Sequence, residues 1–177
     1  MHVSSATFFL SILALSTAAP ILTVQPYSEF QISDGVAGNA LAEVNAKFPV
    51  CESIFEVSNT DKEQIDTSDL ASVSASDLQI IQNARLTAEA AETGTGGFDD
   101  EIAAAGSADT TALQNGKIKN KVLKLQLEVL GLQIQAAQGN ADQSQIDAET
   151  TKLNTNIALD KKAAGQTSVG VTSTFTG

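Results

Sequence analysis

The densest group of side chains able to do chemistry is Asp99-Asp100-Glu101. Two carboxylates at a suitable separation are enough to cleave a glycosidic bond, one acting as acid and the other as base or nucleophile. The same three acids offer oxygen ligands to Ca²⁺, but without the spacing of an EF-hand loop. Their setting favours a plainer role. They follow Phe98 at the start of a short helical pattern, Phe98–Ala105, and the helix dipole favours acids in a first turn. Sugar-cleaving sites also draw on aromatic platforms, and this chain has no Trp and one Tyr, Tyr27. We therefore assign no catalytic, cofactor or metal-binding residue.

Much other chemistry is removed by what the chain lacks. Its one histidine is His2, inside a segment read below as removable. Without imidazole there is no Ser-His-Asp or Cys-His nucleophile and no His-ligated zinc. No G-x-S-x-G, phosphate-binding glycine loop or dinucleotide fingerprint occurs. The one cysteine, Cys51, has two readings. It is a small buried hydrophobe, or it bridges two copies as a homodimer.

Charge is uneven along the chain. Residues 19–109 carry 16 acids against three bases, −13; residues 110–177 carry five acids against seven lysines, +2. The acidic part disfavours nucleic acid and anionic membrane as partners. Lys117, Lys119, Lys121 and Lys124 form the one basic cluster. The helical period spreads them around the axis, so the expectation is a solvated face offsetting part of the acidic half.

Such residues are positioned by helices, and the strongest is Lys117–Ala137. Ile118, Val122, Leu125, Val129, Leu132 and Ala136 recur at alternating steps of four and three. Leu123, Leu127, Leu130, Ile134 and Ala137 repeat that spacing one residue later. Two adjacent seams predict a central helix packed against two neighbours.

The rest of the chain supplies those neighbours. Residues 1–18 read as a secretory signal peptide: the apolar run Phe8–Leu15, then small residues, with cleavage after Ala18. No later run is long and apolar enough to span a membrane. Residues 19–32 are an extended lead-in, with Pro20 and Pro26. Ala37, Ala40, Leu41, Val44 and Phe48 share a helical face that Ser33 or Asp34 caps and Pro49 stops. Val50–Ser68 lacks a period; Ile54, Phe55 and Val57 form an apolar patch, and a short helix is expected within the stretch. Ser74 and Asp77 form a capping box for a helix over Ala75–Glu92, with Leu78, Ile81, Ala84, Ala88 and Ala91 as its apolar stripe. A helix from about Thr110 through Ala137 follows, with a bend or fray expected at Gly116. The last helix, Asp142–Ala164, is joined by a short link and should lie antiparallel. Residues 166–177 read as a flexible Ser/Thr/Gly-rich tail, with Val169, Val171 and Phe175 hinting at one extended piece. The expected fold is all-α: four to five helices over residues 33–165, with a long antiparallel C-terminal hairpin.

Several separated stretches carry a resemblance: Ser33-Asp34-Gly35 with Gly38-Asn39-Ala40, DLASVSASDLQIIQNAR (Asp69–Arg85), AEAAETG (Ala88–Gly94), LQNGKIKNKVLKL (Leu113–Leu125) and TKLNTNIALDKKAAGQTS (Thr151–Ser168). Together the chain resembles a family of small secreted proteins of filamentous ascomycete fungi, over most of its mature length. The resemblance implies export, an extracellular or host-contact setting and an effector-like role. It brings no catalytic motif and no functional residue. The expected function is thus a secreted, non-catalytic helical protein that meets a protein or cell-surface partner, with no cofactor. A binder of lipid or hydrophobic surfaces is the second reading, motivated by the double seam. A carboxylate-dependent hydrolase using Asp99, Asp100 and Glu101 is the third.

Overall fold

A computed structural model describes residues 20–51, 64–172 and 174–175. The segment read as a signal peptide and the patch Ile54, Phe55 and Val57 lie outside the described residues, as does the side chain of Cys51.

The fold is built around α5, Thr111–Ala137, with α3 (Ala75–Thr93) on one side and α6 (Gln143–Lys162) on the other. Both apolar seams are covered over their central turns. Val122, Leu123 and Ile134 are fully buried, Leu127 and Leu130 nearly so, and Leu125 and Val129 are 6% exposed. Each such side chain contributes about 1.5–3 kcal/mol by leaving water. The central part of the double seam, Val122 to Ile134, is therefore core, while Ile118, Leu132 and Ala136 are half-buried and Ala137 is exposed. The small residues Ala84, Ala88 and Ala91 let α3 approach closely. Shorter elements complete the bundle: a single turn α1 (Tyr27–Phe30), α2 (Ala40–Lys47) and α4 (Phe98–Ala105). The all-α bundle with its C-terminal helical hairpin is thus as expected.

Local signals set several helix ends. Ser74 Oγ accepts from the Asp77 N–H and donates to the Asp77 carboxylate, closing the box at the start of α3. Asp142 caps α6 by accepting from the Gln145 N–H. Hydrogen bonds from the Ser144 hydroxyl and that N–H hold its carboxyl below the usual range. Gly106 ends α4 with φ 59°, a left-handed conformation that glycine adopts without strain.

Four expectations need correction, each because a distant residue intervenes. First, neither Ser33 nor Asp34 caps α2. Asp160, on α6, accepts from the Gly38 and Ala40 N–H groups at 2.9 Å each. Second, the lead-in is part of the core: Leu22, Tyr27, Phe30 and Ile32 are all buried. Third, α5 runs through Gly116 without a break. A Cβ there would lie 1.9 Å from the Val169 carbonyl oxygen. The glycine is a point of backbone approach, and the side chain it lacks makes room for the C-terminal segment. Fourth, that segment is docked over its described residues. Strand β4 (Thr167–Ser168) pairs antiparallel with β1 (Gly35–Val36), and the Val169 N–H donates to the Ala112 carbonyl. Ser168 and Phe175 are buried. A second pair, β2 (Val50–Cys51) with β3 (Ile65–Asp66), runs parallel, and a 3₁₀ turn at Leu70–Ser72 leads into α3.

Candidate functional site

The acidic trio at the start of α4 does not converge on a point. Asp99 pairs with the Lys117 ammonium, and Asp100 accepts from the Gly96 N–H at 2.9 Å. Glu101 is exposed. Among the described residues no group of three or more His, Cys, Asp or Glu is arranged to hold a metal ion. All three acids lie in the first turn of α4, and Asp99 makes the salt link to α5.

The lysine cluster divides in two. Lys117, Lys121 and Lys124 follow the helical period toward α3, where Glu92 lies 4.0, 3.6 and 2.5 Å from their ammonium groups. Glu89 is 3.5 Å from Lys124, and Arg85 on α3 reaches back to Glu128 on α5. This seam of opposite charges sits in a polar basin of about 330 Å³, also lined by Lys152 and Glu149, which pair with each other. Its cations and anions largely satisfy one another. Lys119 departs from the expected solvated face. It is fully buried, donates to the Asp34 and Val36 carbonyl oxygens at 2.9 and 3.2 Å, and pairs with Glu43 at 3.0 Å. Burying that charge is sustainable only because each donor direction has an acceptor. Asp34 in turn accepts from the Gly170 N–H. Lys119, Asp34 and Asp160 thereby fasten the 33–40 loop and the C-terminal segment to the hairpin.

A roomier feature lies beside the lead-in. It is a cleft of about 790 Å³ between residues 21–30, the end of α2 and the outer face of α3. Four of the five aromatic side chains among the described residues line it: Tyr27, Phe30, Phe48 and Phe175. Tyr27 stacks edge-on against Phe30 and Phe175, each with ring centroids 5.5 Å apart, and Phe30 against Phe48 at 5.7 Å. Such pairs prefer this edge-to-face geometry. Two buried polar contacts hold the wall in place. The Leu22 N–H donates to Asp77 at 2.7 Å. The Tyr27 hydroxyl donates to Asn120 Oδ1 at 2.8 Å, and Asn120 Nδ2 donates to the Ala88 carbonyl at 2.8 Å. Burial pushes the Tyr27 phenol up to about 12. The rim is polar and exposed, with Thr23, Gln25, Lys47 and Asn83.

Sequence reasoning missed this cleft. The signal available was the aromatic pair Tyr27 and Phe30 beside Pro26, in a stretch read as a lead-in, with Phe48 and Phe175 far along the chain. Nothing local relates those positions. A family model described as a domain of unknown function (DUF8454) matches residues 22–172. No curated protein and no solved structure matches the chain.

Proposed function

The chain belongs to the family described as a domain of unknown function (DUF8454), and we propose that it is a secreted, non-catalytic helical protein that works by binding, with the cleft beside the lead-in as its binding element. The observation that carries this reading is the cleft itself. Its volume of about 790 Å³ falls in the range of small-molecule sites, about 300–1,000 Å³. Its aromatic walls and a polar rim with a single charge, Lys47, match the usual composition of such sites. The double seam of α5, the motive for a lipid-binding surface, is occupied by core packing over its central turns. The cleft now carries that second reading in its place. Asp99 and Asp100 are engaged by Lys117 and Gly96, which supports a structural over a catalytic reading of the pair.

Export rests on residues 1–18, whose apolar run and small-residue boundary fit a signal peptide. An extracellular, host-contact or effector-like role, as the fungal resemblance implies, requires only recognition, and the cleft supplies a means. No helix among the described residues is long and apolar enough to cross a membrane.

Two measurements test the proposal. Culture medium should contain a chain beginning near Ala19; a cell-associated form that retains Met1 would refute export. The purified protein should enhance the fluorescence of the neutral dye Nile red at one site. Ile80→Trp, which fills the cleft from the half-buried edge of α3, should remove that enhancement without changing the melting curve.

A further inference from the structure

We propose that the occupant of the cleft is a single-chain amphiphile headed by a carboxylate, and that Lys47 is the residue that meets the head group. This rests on the cleft being the binding site. The chain carries a formal net charge of −11, yet no carboxylate is among the described residues lining the cleft, and Lys47 is the one charged side chain there. It is the last residue of α2, exposed at the rim. Its ammonium donates to the Glu29 carbonyl oxygen at 2.6 Å and has no carboxylate within 4.0 Å among the described residues. The lysines of the α5 seam, in contrast, all face acids. An ammonium carries three donors, so Lys47 keeps two for an incoming anion.

Below that rim the lining changes character. Leu22, Phe30, Phe48 and Ile80 present hydrocarbon there, the polar Thr87 among them is neutral, and so are Thr23, Gln25 and Asn83 on the rim. A cation over an apolar trough fits a molecule with one anionic end and a hydrocarbon body. A second charge on the ligand would find no partner among the described lining residues. Affinity should therefore rise with chain length, about fourfold for each methylene that is buried.

Displacement of Nile red by decanoate, dodecanoate and dodecan-1-ol tests this on the purified protein, its Lys47→Gln and Ile80→Trp variants, and Lys162→Gln as a charge-matched control outside the cleft. Dodecanoate should bind at least about tenfold more tightly than decanoate. Lys47→Gln should weaken dodecanoate about tenfold, as for loss of a charge-assisted pair, and leave dodecan-1-ol and the melting curve unchanged. Lys162→Gln should change neither ligand. Equal binding of dodecan-1-ol and dodecanoate by the parent, or dodecanoate binding unaffected by Lys47→Gln, overturns the head-group assignment while leaving the cleft. Nile red enhancement that survives Ile80→Trp and resists every ligand overturns the cleft reading and this inference together. Retention on anionic phospholipid vesicles without dodecanoate binding also overturns it, in favour of a membrane surface.

Discussion

Replacing Gly116 by alanine should destabilise the protein, although the same change in an unencumbered helix does the opposite. Gly116 lies six residues into α5, where alanine is favoured over glycine by about 1 kcal/mol. Against that gain stands the Val169 carbonyl. The new Cβ would lie 1.9 Å from its oxygen and 2.8 Å from its carbon. The oxygen must retreat to at least 3.0 Å, a movement of about 1.1 Å. The atoms in the way are backbone, so no side-chain rotation relieves the clash. The hydrogen bonds that hold that segment include Val169 N–H to the Ala112 carbonyl, Asn115 Nδ2 to the Thr167 carbonyl, Gly170 N–H to Asp34, and Ala37 N–H to the Gln166 carbonyl. At about 1 kcal/mol each, losing three or four outweighs the helix gain, leaving a net loss of about 2–3 kcal/mol. Gly131 is the control. A Cβ there meets Ile81 Cγ2 at 3.8 Å and Leu78 Cδ1 at 4.0 Å, ordinary contact distances. Gly131→Ala should therefore stabilise by about 1 kcal/mol. Urea denaturation of both variants reads the two signs, and amide exchange at Val169 and Gly170 locates the damage. A Gly116→Ala variant with a higher urea midpoint than the parent would refute the close approach.

Asp160→Ala should cost about 2–3 kcal/mol, because the Gly38 and Ala40 N–H groups lose their acceptors; a denaturation midpoint within error of the parent would show that water replaces the cap. Lys119→Ala should cost about 3–5 kcal/mol by removing a fully buried cation from Glu43 and the Asp34 and Val36 carbonyls, and thermal unfolding checks it. Leu125→Asp or Val129→Asp places an unpaired charge in a filled seam and should abolish cooperative melting. Lys121→Ala, at the half-exposed edge 3.6 Å from Glu92, should be nearly silent. Tyr27 is the chain's one tyrosine, so alkaline absorbance titration reads a single phenol. Its folded value of about 12 exceeds the unfolded value of about 10. The neutral phenol is thus favoured by the fold. Its contribution is complete below pH 10 and is lost as pH rises toward 12, and a native titration near pH 10 would show that the ring is not buried.

Much of the architecture was legible along the chain, for a reason rooted in helix physics. Helical hydrogen bonds and caps join residues a few positions apart, so local spacing reports them. The box at Ser74 and Asp77, the stretch Phe98–Ala105 and both seams of α5 were readable in this way. So was the antiparallel hairpin, because a link as short as Gln138–Asp142 leaves two long helices little other choice. Tertiary structure decided everything that depended on residues far apart. Asp160 caps a helix whose first residue lies 120 positions earlier. Lys119 looks like any surface lysine until the 33–40 loop folds over it with its carbonyl groups. Gly116 reads as a weak point in a helix until Val169 arrives against it. The cleft draws Tyr27, Phe48 and Phe175 from three separate parts of the chain. Periodicity can tell which side of a helix avoids water. It cannot tell which distant backbone, charge or ring will cover that side, and the candidate site exists only at that level.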